Sequence, residues 1–374
     1  MTATEYKERV CDSDTAALPA LFEEYPELSH KLAWMSLGDF PTPVEPLKHC
    51  GYENLWIKRE DLSSSLYSGN KTRKLEFIMA DVIAKRRKKV VTIGGIGTNH
   101  GLATAIYCNR LGLGCRLLLF YQPVTSYVKQ NMLLFYRYGA EMTYTGTILR
   151  AGLLYYTAER FRNRNAYFLY AGGSSPLGTI GVVGAMFELK RQVARGEMPS
   201  PRYIFCPLGS NGTVAGLSLG ALLAGMDTTV IGVGVSVDSL GPLPIANAYT
   251  VRALMKTTYR MLRQLSPRIP RISIPPQRVI GDYLGDGYGY PTSACRDAIR
   301  FLGEREGIQL DPTYTAKTFA AVRDFIAASS RKGEAVLYWH TYNSVDLAAE
   351  AASVDYHELP AALQRFFTME EYPV

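Results

Sequence analysis

Apolar positions along the 374-residue chain fall into short runs separated by stretches of helical spacing. Runs at residues 90–93, 115–120, 141–144 and 167–170 are apolar or β-rich, and helix-length segments lie between them near 100–111, 126–138 and 148–164. A second series holds a strand at 203–206, a helix from about Thr213, a strand at 230–235 and a late strand at 335–339. Repeated strand–helix units predict parallel sheets covered by helices on both faces. Two series predict an α/β protein with two doubly wound parallel-sheet lobes. Leu18, Leu21, Phe22 and Tyr25 suggest one helix within residues 1–36, to which no chemistry is assigned. Residues 37–47, punctuated by Pro41, Pro43 and Pro46, are expected to be extended, and 266–276 to form a surface loop.

One stretch departs from this alternation. Trp56-Ile57-Lys58-Arg59-Glu60-Asp61-Leu62 is a short strand with a polar exit, and Ser68-Gly69-Asn70-Lys71 is a turn ending in a lysine. After it, Leu75, Ile78, Met79, Val82 and Ile83 keep the one-face spacing of an amphipathic helix. Gly69 and Asn70 tolerate unusual backbone angles. Lys71 therefore stands in the first turn, where the helix dipole disfavours a further positive charge. A partly desolvated amine there is easier to deprotonate and suited to attack an aldehyde, although a solvated first-turn lysine satisfies the same pattern.

The string Lys58-Arg59-Glu60-Asp61-Leu62 followed by Gly69-Asn70-Lys71-Thr72-Arg73-Lys74-Leu75-Glu76-Phe77 resembles the Schiff-base lysine segment of one branch of pyridoxal 5'-phosphate enzymes. That branch is the 1-aminocyclopropane-1-carboxylate (ACC) deaminase and D-cysteine desulfhydrase family, of the tryptophan-synthase-β-like fold (fold type II). The resemblance runs from about residue 37 to 344. It implies a larger lobe of residues 1–74 plus 181–374, a smaller inserted lobe of 75–180, and the cofactor between them. It also implies that Lys71 and Asn70 hold the cofactor.

Gly94-Gly95-Ile96-Gly97-Thr98-Asn99-His100 closes a strand and opens a helix, a setting where backbone N–H groups can bind an anion. It is not a dinucleotide fingerprint, because His100 replaces the third glycine and Phe120 stands where a ribose-binding acid belongs. A plain turn remains the alternative. By resemblance, Thr98 supplies a catalytic hydroxyl beside the substrate, Asn99 bonds the cofactor ring hydroxyl, and the backbone grips the substrate carboxylate. His100 falls on a position that is histidine in the desulfhydrase branch; a structural role is the other option. Gly97, Thr98 and Gly101 depart from the family pattern.

Gly209-Ser210-Asn211-Gly212-Thr213 follows another apolar strand, and no Gly-Lys-Ser/Thr follows, so a phosphate monoester suits it better than a nucleotide. The resemblance makes it the phosphate cup. Tyr288, flanked by glycines, could lie on a flat ring or give its phenol proton to a leaving group, with Tyr290 a weaker candidate. Residues 310–317 suggest a turn capped by Thr315, with Tyr314 near the pocket. Thr341, after the last strand, is placed by the resemblance on the pyridine nitrogen. Tyr342 and Asn343 stand where the family continues with two glycines, so Tyr342 is expected to reshape the substrate pocket.

Composition adds limits. Apolar residues make up 47% and charged residues 20% of the chain, ordinary for a globular protein. The +7 net charge is dispersed apart from residues 85–89, which suit a solvated helix end; no nucleic-acid partner is expected. Cys11, Cys50, Cys108, Cys115, Cys206 and Cys295 show no Cys-x-x-Cys pair, so neither zinc nor a disulfide framework is expected. Glu5, Lys7, Glu8 and Arg9 interrupt any leader-like apolar run, and no run approaches a membrane span. The expectation is a cytoplasmic homodimer acting on a small amino acid. D-cysteine desulfhydrase-like α,β-elimination leads, with ACC deamination, a weakly catalytic cofactor-binding homologue and a nicotinamide oxidoreductase as alternatives.

Overall fold

A computed structural model of the chain describes residues 18–328 and 333–373. Cys11 and the charged residues 5–9 lie outside them. The strands in chain order are β1 (Val44–Pro46), β2 (Leu55–Arg59), β3 (Lys89–Gly95), β4 (Gly114–Phe120), β5 (Ala140–Gly146), β6 (Tyr167–Phe168), β7 (Tyr203–Leu208) and β8 (Thr229–Gly234). A small hairpin, β9 (Ser239–Leu240) and β10 (Leu243–Pro244), precedes β11 (Arg278–Ile280) and β12 (Val336–His340). The described residues form two compact units, one within 18–78 and 174–344, the other within 79–173 and 345–373.

The larger unit holds a six-stranded sheet in the order β1-β2-β12-β7-β8-β11. All neighbours are parallel except β1, which pairs antiparallel with β2 at the edge. Alternation along the strands divides the core. Leu337, Trp339, Ile204 and Cys206 face the helices Pro176–Ala194 and Gly212–Ala224, whereas Val336, Tyr338, Tyr203 and Phe205 face Ser293–Glu306 and Thr315–Ala328. Val336 lies opposite both Leu55 and Tyr203, so the carboxyl ends of β2, β12 and β7 open side by side. Ligand sites of α/β sheets form at such an edge.

The helix Lys71–Ala84 departs from the expected one-sided pattern. Residues 72–80 are all buried, Arg73, Lys74 and Glu76 among them. Gly181 lets the neighbouring helix approach this closely, since a Cβ there would stand 2.0 Å from the Arg73 carbonyl oxygen. The charges are compensated internally. Arg73 binds Glu60 at 2.8 Å and Glu188 at 2.9 Å, and Lys58 binds Glu188 at 2.6 Å. A cavity of about 910 Å³ borders Arg73, Glu76 and Glu188, and Lys71 does not line it.

In the smaller unit the sheet order is β5-β4-β3-β6, all parallel. Thr98, Thr125 and Thr147 each cap a helix, accepting the N–H three residues on. The single helix expected over 148–164 is broken at Thr157 into Ile148–Tyr156 and Ala158–Arg162. The segment after 344 packs here rather than with the larger unit, unlike the expected division. Tyr372 N–H reaches the Val124 carbonyl at 2.8 Å, Lys129 pairs with Glu371 at 2.9 Å, and Phe366 packs edge-on against Tyr144.

Candidate active site

Three strand ends of the larger unit assemble the site. Past β2, Gly69 takes a left-handed conformation (φ +89°), and a Cβ there would come within 2.6 Å of the Tyr342 carbonyl oxygen. Glycine thus lets the lysine turn press against the chain leaving β12. Lys71 then opens its helix, and its Nζ donates to Asn70 Oδ1 at 2.7 Å. Burial lowers the Lys71 amine to about 8, although Cys206 and Asp311 act in the opposite sense. The other end of the Asn70 amide donates to Thr213 Oγ1 at 2.7 Å.

Thr213 belongs to the glycine loop past β7, where the helix Gly212–Ala224 begins. Its first N–H groups lack intrahelical acceptors and carry the positive end of the dipole. Ser174 Oγ donates to Ser210 Oγ at 3.0 Å and accepts the Gly212 N–H at 3.1 Å. Asn211 is left-handed (φ 71°), and its amide is committed to the Ile245 carbonyl at 2.8 Å and Thr250 at 3.1 Å. Its side chain is thereby turned toward the Ile245–Thr250 segment. Gly209 is pressed by Tyr314, whose ring carbon would stand 3.2 Å from an added Cβ.

Two residues not anticipated from the sequence complete this cup, Lys74 and Ser174. A Cβ on Gly212 would lie 2.9 Å from Lys74 Nζ and 2.7 Å from Ser174 Oγ, so both groups border the space that Gly212 leaves open. Lys74 is 1% exposed, and burial, followed by the Lys71 charge, holds its amine well below its usual pKa. Its position three residues after Lys71, on the same helix face, is the signal that could have found it.

Tyr288 and Tyr314 share a short hydroxyl–hydroxyl contact. Burial pushes Tyr288 up to about 12 and Tyr314 well above its ordinary value, so both phenols keep their protons near neutrality. The expected cap at Thr315 is instead the Asp311 carboxylate, which accepts the N–H groups of Thr313, Tyr314 and Thr315 at 2.7–3.1 Å. The buried Lys317 amine donates to the Leu284 carbonyl at 2.7 Å, tying down the loop that carries Tyr288. Thr341 directly follows β12. Tyr342 stacks on His340 (ring centroids 5.8 Å apart, 19° between planes) and donates its hydroxyl to Gln309 at 3.3 Å.

In the smaller unit, Thr98 Oγ1 accepts the Gly101 N–H at 3.2 Å, and a Cβ on Gly101 would lie 2.4 Å from the Thr98 methyl. The extra methyl and the missing side chain therefore belong together. Asn99 Oδ1 accepts from Asn131 at 3.1 Å. The buried His100 ring meets Thr92 Oγ1 at 3.0 Å, and Thr92 spends its proton on the Leu169 carbonyl at 2.9 Å. His100 Nε2 is thereby the donor. The turn is less open to an anion than expected. The N–H groups of Ile96, Gly97 and Thr98 are taken by the Phe120 carbonyl, the Gln122 side chain and the Gly95 carbonyl.

An aldehyde carrying a phosphate monoester fits the donors of the larger unit. Lys71 offers a readily deprotonated amine, and the Gly212 helix start, Thr213 and Lys74 offer donors around a space that a single Cβ would fill. Among the described residues no cluster of His, Cys, Asp and Glu could hold a metal ion, and no helix is long and apolar enough to cross a membrane.

Residues 35–341 match the family described as "Pyridoxal-phosphate dependent enzyme". A Thermotoga maritima protein named as a candidate 1-aminocyclopropane-1-carboxylate deaminase is 31% identical over 319 residues, covering 83% of this chain and 96% of its own. A D-cysteine desulfhydrase from Klebsiella pneumoniae is 32% identical over 314 residues, covering 80% and 91%. The solved structure of an ACC deaminase homologue superposes with a TM-score of 0.73 at 28% identity, covering 90% of this chain and 99% of that one. A threonine deaminase from Solanum lycopersicum (TM-score 0.60, 16% identity) shares the fold. These matches displace the nicotinamide alternative. The chain belongs to the pyridoxal-phosphate dependent enzyme family and has its tryptophan-synthase-β-like, fold type II architecture.

Proposed function

We propose that this enzyme releases ammonia and a 2-oxo acid from a small amino acid, with α,β-elimination of sulfide from D-cysteine as the leading reaction. The observation that carries this reading is the Lys71 amine, lowered to about 8 and held by Asn70, which also holds Thr213 of the glycine loop. Relatives named for D-cysteine desulfhydrase support the substrate class.

Bound pyridoxal phosphate supplies an aldehyde for the substrate amine and a ring that draws electrons from the α-carbon. The Gly209–Thr213 loop, with Thr213 and Lys74, holds the phosphate. Thr341 would offer the pyridine nitrogen a hydroxyl rather than a carboxylate, which would not force that nitrogen to be protonated and would suit elimination better than transamination. Lys71 Nζ takes the α-proton. Tyr288 keeps its proton near neutrality and gives it to the departing sulfur. One water then completes the balance, so that cysteine and water yield pyruvate, ammonia and hydrogen sulfide. Thr98, Asn99 and His100 are assigned to the substrate, and Asn99 to the ring hydroxyl, by resemblance.

ACC deamination is the second reading, favoured by the relatives and the solved structure that carry that name. ACC has no α-proton, so a hydroxyl such as that of Thr98 or Tyr288 would act at a ring carbon. Incubating the protein loaded with pyridoxal phosphate with D-cysteine, β-chloro-D-alanine, D-serine and ACC separates the cases. Pyruvate with sulfide from D-cysteine supports the first reading and 2-oxobutyrate from ACC the second. No 2-oxo acid from any of them would indicate a binding homologue. A homodimer in the cytoplasm completes the proposal, and sedimentation velocity tests the assembly.

A further inference from the structure

We infer that Asn343 is a positioning residue, fastening the turn before Lys71 to the chain that leaves β12. β2 and β12 run parallel, and their pairing ends at Arg59 and His340. Beyond that point the two segments separate, and the residues before Lys71 return at Ser68. There Asn343 Oδ1 accepts both the Ser68 N–H at 2.8 Å and the Ser68 hydroxyl at 3.0 Å. Ser68 Oγ in turn accepts the Ser344 N–H at 2.9 Å. Ser68 is 1% exposed and Asn343 half-buried, so the Ser68 side of these bonds is shielded from water. The next residue, Gly69, presses against the carbonyl oxygens of Thr341 and Tyr342, which would stand 2.8 and 2.6 Å from an added Cβ.

The latch thus replaces the strand ladder where the ladder has stopped. It fixes two groups at once, the Lys71 amine two residues beyond Gly69 and the Thr341 hydroxyl two residues before Asn343. A rigid aromatic ligand held at one end by Lys71 and at the other by Thr341 requires that separation to be constant, because hydrogen bonds weaken steeply outside their narrow range. This inference rests on the proposed roles of Lys71 and Thr341. It assigns to Asn343 no contact with the ligand.

The test compares Asn343→Ala, which removes the acceptor, with Asn343→Asp, which keeps it. Cofactor-free protein is titrated with pyridoxal phosphate, and the visible band is followed against pH. The unliganded melting temperature is recorded alongside. Asn343→Ala should weaken cofactor binding by about tenfold and move the pH midpoint of the band, a larger loss than the accompanying drop in unliganded stability accounts for. Asn343→Asp should restore both properties. Wild-type affinity and band in Asn343→Ala overturn the inference, as does an affinity loss matched by an equal loss of unliganded stability. If Asn343→Ala does not accumulate as folded protein, Ser68→Ala gives a milder comparison, removing the hydroxyl bonds to Asn343 and Ser344 while keeping the backbone one, and a smaller loss of affinity in the same direction is expected. Borohydride labelling of the variant keeps the two ideas apart, since a label away from Lys71 would defeat the role of Lys71 rather than that of Asn343.

Discussion

Asn70 donates to the Thr213 hydroxyl at 2.7 Å while its carbonyl oxygen holds the Lys71 amine, also at 2.7 Å. One short side chain therefore ties the helix that begins at Lys71 to the helix that begins at Gly212. A neutral amide can do this without countering the lysine charge. Asn70→Asp would place an anion beside the amine and favour its protonated form. In wild type, uptake of pyridoxal phosphate by cofactor-free protein should quicken as pH rises through about 8. In Asn70→Asp the midpoint should lie higher, and uptake at pH 7 should be slower. Stopped-flow absorbance against pH measures both, and an unchanged midpoint would contradict the assignment.

Lys74 should trade stability for cofactor affinity. Its amine is held well below its usual pKa, so the unfolded chain binds more protons than the folded one up to about pH 10.5. That cost is fully present below the folded-state pKa and is relieved as pH rises toward 10.5. Lys74→Met should accordingly raise the melting temperature of cofactor-free protein near neutral pH, with the gain fading toward pH 10.5. The same variant should bind pyridoxal phosphate at least about tenfold more weakly, through loss of a charge-assisted phosphate contact. Calorimetry and titration read the two effects separately.

Thr98 and Gly101 should behave as a coupled pair. Gly101→Ala alone drives a Cβ into the Thr98 methyl and should cost about 1–3 kcal/mol. With Thr98→Ser the methyl is gone, and alanine should then help the helix by up to about 1 kcal/mol. A double-mutant cycle from urea midpoints measures the coupling. Simple additivity would show that the close approach is not what excludes a side chain at 101.

The buried network around Arg73 gives a prediction with a defined pH sign. Burial alone would raise the Glu188 carboxyl, but Arg73 and Lys58 hold it down at about 2. Its contribution is present above pH 4.5 and lost as pH falls through about 2. Arg73→Met should cost about 3–5 kcal/mol near neutrality, and the loss should shrink as pH falls from 4.5 toward 2, the range over which the wild type loses the Glu188 contribution. Chemical denaturation at pH 7 and pH 3 supplies the comparison.

What was legible in the sequence were the strand ends. The Gly209–Thr213 loop and Thr341 each follow an apolar run, and Lys71 follows the turn Ser68-Gly69-Asn70 at a helix start, positions that local pattern reveals. The burial of Lys74 was not legible, because Arg73, Lys74 and Glu76 look like the solvated face of a one-sided helix, and only its spacing from Lys71 marks it. Arg73 is covered by the helix Pro176–Ala194, which packs on it through Gly181 and supplies Glu188, whereas Lys74 meets Gly212. Ser174 lies 38 positions from the Gly212 N–H it accepts, beyond any local period. The placement of residues after 344 rests on single contacts such as Lys129–Glu371 rather than on a repeating pattern.

The most direct test of the whole account is borohydride reduction of the protein loaded with pyridoxal phosphate, followed by peptide mapping. The phosphopyridoxyl label should fall on Lys71, and Lys71→Ala should lose both the label and the release of 2-oxo acid. A label on Lys74, Lys317 or any other lysine, or colour and turnover surviving in Lys71→Ala, would contradict it.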